Sequence, residues 1–151
     1  MERTDLLSRE AIRDLLGRYT WAGDQGRAAE LAALFTTDGV LDVGDHGGRW
    51  EGRERIEREL TAVTERVAAS SSTPGPVRHH VSSVLIDLDT HAQATVRSYF
   101  LVLTDAGVDH WGRYRDQVVE TAPGGSWQFQ ERVVRVDGHA PGSRMVTTES
   151  R

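Results

Sequence analysis

The chain changes its hydrophobic period once. Through its first half the apolar positions recur at helical spacing; from residue 77 they alternate. Ile12, Leu15, Leu16 and Tyr19 fall at i, i+3, i+4 and i+7, which predicts an amphipathic helix over 8–23. Ser8 is the expected N-cap, with Glu10 well placed in the first turn. Gly23 and Gly26 flank Asp24 and mark a break. A short second helix is expected next, with Leu31, Leu34 and Phe35 as its apolar side. Thr37-Asp38-Gly39 then turns the chain into a strand from Val40 to Val43, and Gly44 to Gly48 forms a hairpin tip. Ile56, Leu60, Val63 and Val67 predict a third helix over 53–68. Ser70 to Pro76 is too rich in Ser, Pro and Gly for regular structure, and its place just before His79 makes it a candidate lid.

The second half reads as strands over 77–88, 92–104, 109–121 and 126–136, joined by short turn-like connections such as Asp105-Ala106-Gly107. Short connections imply antiparallel neighbours. Helices first and a strand meander after is an α+β pattern. Three N-terminal helices should pack on one face of a strongly curved, cone-shaped antiparallel sheet and enclose a cavity. Residues 1–137 form one expected domain. Residues 138–151 lose periodicity and read as a mobile or interface tail.

Composition narrows the chemistry. A chain of 151 residues can bury roughly 70% of its unfolded surface without covalent staples. The net charge of −5 argues against a nucleic-acid partner. Zero cysteines exclude disulfides, thiolate zinc sites and a cysteine nucleophile. Asp45-His46 and Asp109-His110 have no third metal ligand at useful spacing and read as solvated turn residues. No metal or cofactor is expected. No apolar run reaches membrane-spanning length, so a cytoplasmic protein is the default.

What remains is one carboxylate and one imidazole. Asp24 ends the first helix, and His79 opens a strand beside His80. A buried Asp that holds a His in one tautomer makes a general base that works near neutral pH. Strand alternation sends His79 and His80 to opposite faces and does not choose between them. Tyr19, Trp21, Phe100 and Tyr114 are aromatic candidates for the cavity wall, and each fits core packing as well. The Tyr19 hydroxyl could polarise a substrate oxygen. Arg132 either binds an anionic leaving group or makes a cross-strand ion pair.

The ordered stretches Ala11 to Tyr19, Asp24, Leu31 to Val40, Gly52 to Ile56, Arg78 to Ser83, Gly112 to Asp116 and Trp127 to Arg132 carry a family resemblance. The chain resembles the SnoaL-like branch of the nuclear transport factor 2-like superfamily. That superfamily includes dehydratases, dehydrochlorinases, ketosteroid-type isomerases, polyketide cyclases, dioxygenase small subunits and purely structural modules. Within it the chain is most similar to the scytalone dehydratase and hexachlorocyclohexane dehydrochlorinase group. The resemblance implies a proton-abstracting dyad at Asp24 and His79, a small hydrophobic substrate and a homodimer or homotrimer. It also exposes departures. A second active-site histidine would fall near Thr104, a dehydrochlorinase lysine falls on Tyr19, and a usual asparagine is replaced by Ser83. The reading is a cofactor-independent lyase, isomerase or cyclase. A non-catalytic ligand carrier and an assembly module are the rivals.

Overall fold

The computed structural model describes residues 2–69 and 75–146. Its first helix, α1, spans Arg3–Asp24 and starts earlier than the apolar stripe suggests. The Glu2 amide donates to Asp5 Oδ2 at 3.3 Å, so the chain is capped at Glu2 and Ser8 lies inside the helix. Helix α2 is a single short stretch, Ala28–Ala32.

Phe35, expected on that helix, instead opens strand β1, Phe35–Gly44. The cause is tertiary. Phe35 sits in register with Phe129, the Phe129 amide donates to Leu34 O at 2.9 Å, and the Arg53 guanidinium donates to Phe35 O. The expected turn at 37–39 is an irregularity within the strand. Gly39 is required there, because a Cβ would lie 2.9 Å from Phe35 Cβ and 3.1 Å from Phe129 O.

Strand β2 is Gly48–Glu51, helix α3 is Arg53–Ala69, and the meander is β3 (Arg78–Thr90), β4 (Gln93–Thr104), β5 (Gly107–Glu120) and β6 (Trp127–His139). They form one open six-stranded sheet in the order β2-β1-β6-β5-β4-β3. The pairings are antiparallel except β1 with β6, which is parallel, a pairing made possible by the long connection through β2, α3, β3, β4 and β5. Most of Ser70–Pro76, the candidate lid, lies outside the described residues.

Ile12, Leu15 and Leu16 of α1 pack with Phe35, Leu41, Ile86, Val96 and Phe129 to make the main core. Each such side chain contributes about 1.5–3 kcal/mol on burial. Helix α3 differs: only Ile56 is fully buried, while Leu60 and Val63 are partly buried at the edge of the core and line a cavity. The tail also differs from expectation. β6 runs to His139, and the chain then folds back, with the Ala140 amide donating to Asp109 O at 2.8 Å.

Candidate active site

Helix α1 ends where β3 begins, and Asp24 joins the two. Its carboxylate accepts the His79 backbone N–H at 3.1 Å and lies 2.5 Å from His79 Nδ1. One carboxylate therefore fixes both the strand start and the imidazole. With the carboxylate as acceptor, Nδ1 carries the proton and Nε2 is left as the basic nitrogen. The Asp24 side chain is 8% exposed and that of His79 23%. His79 lines the cavity, while His80 points outward and is exposed.

The cavity has a volume of about 210 Å³ between α1, α2, α3 and the inner face of β3–β6. Its wall is mostly apolar, with Leu31, Leu60, Val63 and Val134 among the contributors. Tyr19, Phe100 and Tyr114 also line it. Phe100 stacks on Tyr114 with centroids 4.6 Å apart, and it lies 6.5 Å from the His79 ring. Gly112 leaves the space for that ring: a Cβ there would come within 2.8 Å of Phe100 Cζ.

Trp21 does not reach the cavity. It is 71% exposed, on the outer side of α1 near Gly17 and Val81. Residues two positions apart on a helix are about 200° apart, so an inward Tyr19 forces Trp21 outward. Arg132 does not line the cavity either. It is 1% exposed and makes a two-pronged pair with Asp116 at 2.7 and 2.8 Å. Its guanidinium lies 4.1 Å from the ring centroids of both Tyr19 and Tyr114. Of the two alternatives for Arg132, the ion pair is the one present, and it backs the cavity wall. Burial would strip charge from Arg132, but Asp116 outweighs that and holds its pKa above the ordinary value. Burial raises both tyrosine hydroxyls, Tyr19 with partial opposition from Arg132.

A second histidine, His110, shares the cavity. Asp109 and His110 were expected as solvated turn residues; both are buried. The β4–β5 ladder pairs Val102 with His110 and Leu103 with Val108, leaving Asp109 unpaired as a bulge. The extra residue breaks strict alternation, so neighbours that should face opposite ways are both enclosed. His110 Nδ1 lies 2.7 Å from Asp109 Oδ1, and the ring packs edge-on to Phe100 at 5.8 Å. Thus Phe100 sits between two imidazoles. His110 enters the cavity wall from β5. Burial lowers the His110 pKa, only partly opposed by Asp109, and neighbouring His79 and His46 lower it further. Burial alone would raise the Asp109 carboxyl, but the Arg144 amide, the Ser143 hydroxyl and His110 outweigh it and hold its pKa below the ordinary value.

Among the described residues no group of three or more His, Asp or Glu side chains is arranged to hold a metal ion. No described helix is long and apolar enough to cross a membrane. Chemically, the cavity offers one imidazole oriented by a carboxylate, a second buried imidazole and an aromatic floor.

The SnoaL-like domain matches residues 4–133. A candidate scytalone dehydratase from Novosphingobium aromaticivorans superposes with a TM-score of 0.74 at 25% identity, covering 99% of this chain and 100% of that one. A Catenulispora acidiphila protein solved in complex with S-DNPA gives a TM-score of 0.72 at 29% identity, over 85% of this chain and 92% of that one. LinA gives a TM-score of 0.77 at 17% identity, over 97% of both chains, and is similar in fold alone. No curated protein matches the chain at a significant level.

Proposed function

This chain belongs to the SnoaL-like domain family, and from that premise we propose that it is a cofactor-independent lyase, isomerase or cyclase acting on a small hydrophobic molecule. The observation that carries the reading is the 2.5 Å contact of His79 Nδ1 with a nearly buried Asp24, the ring opening into an apolar cavity. His79 Nε2 takes a proton from a carbon activated by a neighbouring carbonyl. Asp24 stabilises the imidazolium that forms. In an elimination, the C–H electron pair becomes the new double bond as a hydroxyl departs from the adjacent carbon. The proton held on His79 returns to that oxygen, and water leaves.

Neutral His110 accepts a hydrogen bond from a substrate hydroxyl through Nε2 and so orients the molecule. Phe100 and Tyr114 offer a flat apolar surface against which an aromatic or conjugated ring can lie. Arg132 acts at one remove, by holding Tyr19 and Tyr114. A homodimer or homotrimer belongs to this proposal; Tyr99 and Trp111 remain exposed on the opposite sheet face, and light scattering measures the assembly.

The test uses aromatic β-hydroxy ketones in D₂O, followed by NMR. The protein should catalyse loss of the proton next to the carbonyl and formation of the conjugated enone. His79→Ala with wild-type turnover would sink the mechanism. A wild-type protein that binds the probes but exchanges no proton is a carrier.

A further inference from the structure

The residues after β6 return to the site. Ser143 and Arg144 converge on the side chain of Asp109, the partner of His110. Ser143 Oγ donates to Asp109 Oδ1 at 2.7 Å, and the Arg144 amide donates to Oδ2 at 2.7 Å. The segment is held independently of these bonds. The Ala140 amide donates to Asp109 O, the Ser143 amide donates to Ala140 O at 3.0 Å, Val146 is buried, and the Arg144 guanidinium pairs with Asp105 at 3.1 Å.

The hydrogen-bond directions follow from counting donors and acceptors. Ser143 Oγ accepts the Val146 amide at 2.9 Å, so its single proton is free to point at Asp109. Asp109 Oδ1 then faces two neighbours, the Ser143 hydroxyl and His110 Nδ1. The carboxylate is an acceptor only, so both neighbours must donate. His110 Nδ1 therefore carries the proton, and Nε2 is the acceptor. We propose that the Ala140–Val146 segment is a positioning strap. It locks Asp109 as an oriented carboxylate and so fixes His110 in the tautomer whose Nε2 serves the cavity. Ser143 and Arg144 are then positioning residues for a site they do not enter. The proposal rests on the reading of the cavity as a proton-transfer site and adds to it a chain-end element that sets the second imidazole.

The titratable groups around His110 are Asp109 on its own strand, His79 on β3, His46 on the β1–β2 turn and His139, its register partner on β6. His139 Nδ1 lies 3.1 Å from Ala140 O and is occupied there. None of the three histidines can replace Asp109 as an anionic acceptor.

The test is long-range ¹H–¹⁵N NMR of the full chain labelled at histidine. In wild type, His110 should show a single Nδ1-protonated tautomer at neutral pH. Ser143→Ala should mix the tautomers and average the two ring nitrogen shifts, while the His79 ring signals stay in place and report an intact fold. Ser143→Thr, which keeps the hydroxyl, should restore the single tautomer. Arg144→Pro removes the other donor and should also mix the tautomers. An unmixed His110 in both Ser143→Ala and Arg144→Pro overturns the proposal, as does a wild-type His110 protonated on Nε2. The readout needs no turnover, so it stands or falls apart from the proton-exchange test of His79.

Discussion

The two aspartate–histidine pairs of this cavity are assembled in opposite ways. Asp24 and His79 lie 55 residues apart and meet because a helix end abuts a strand start. Asp109 and His110 are neighbours, and they pair only because the β5 ladder is irregular and a returning chain end anchors the carboxylate. The first pair needs nothing unusual of the backbone. The second needs a local defect and a clamp. The His79 side chain is also the more open, 23% exposed against 10% for His110. In the proposed roles, the base that meets substrate has the open position and the orienting imidazole the closed one.

Mutation of the open pair should break that contrast most severely. His79→Ala should lower proton-exchange turnover by about 10²–10⁴, the usual worth of a general base. Asp24→Asn should cost nearly as much, because the imidazole loses its oriented acceptor. Steady-state rates on a β-hydroxy ketone check both.

Next in size is the pair behind the cavity. Arg132→Leu strands a buried Asp116 and should destabilise the fold by about 3–5 kcal/mol. Urea midpoints will show it, and a double variant that also replaces Asp116 should recover much of the loss. That result would separate ion pairs that hold the wall from those that face the substrate.

Acid titration should sharpen the difference between the two histidines. His110 titrates below its ordinary 6.5 in the folded protein. As pH falls, the unfolded chain takes that proton first, so stability declines from about pH 6.5 down to the folded value and then levels. Asp109, whose folded pKa lies below its ordinary 3.8, adds a second decline that starts near pH 3.8 and ends at its own folded value. Melting temperature against pH should lose the first decline in His110→Gln and keep the second.

The smallest effect concerns a second irregular strand. β3 also slips register, between Ser82 and Leu85, and there Ser83 adopts φ of +52°. Ser83→Gly should relieve strain worth about 1 kcal/mol, a gain measurable by urea unfolding. An equal gain from glycine at Asp109 is not expected, since that residue has no positive φ and its carboxylate is held by three hydrogen bonds, from Ser143, Arg144 and His110.

Periodicity carried much of this architecture. The stripe Ile12, Leu15, Leu16, Tyr19 locates α1 and its inward face, and that same stripe is the reason Trp21 had to point away. Asp24 and His79 were legible because regular elements deliver them. His110 was hidden because alternation assumes an unbroken ladder, and a bulge is invisible to it. Phe35 was placed on a helix because local pattern does not report a parallel partner such as β6. Arg132 was left between two roles because only the fold brings Asp116, Tyr19 and Tyr114 around it.

The shared carboxylate of Asp24 also bears on how this site would age. Its bond to the backbone amide of residue 79 is available whatever side chain stands there. A lineage without the proposed chemistry could let the imidazole drift at little structural cost. The aspartate would still be tied to the helix–strand seam. On the proposed mechanism, Asp24 should therefore outlast His79 in any relative that keeps the fold without the reaction, and an aspartate without its histidine would mark the seam alone.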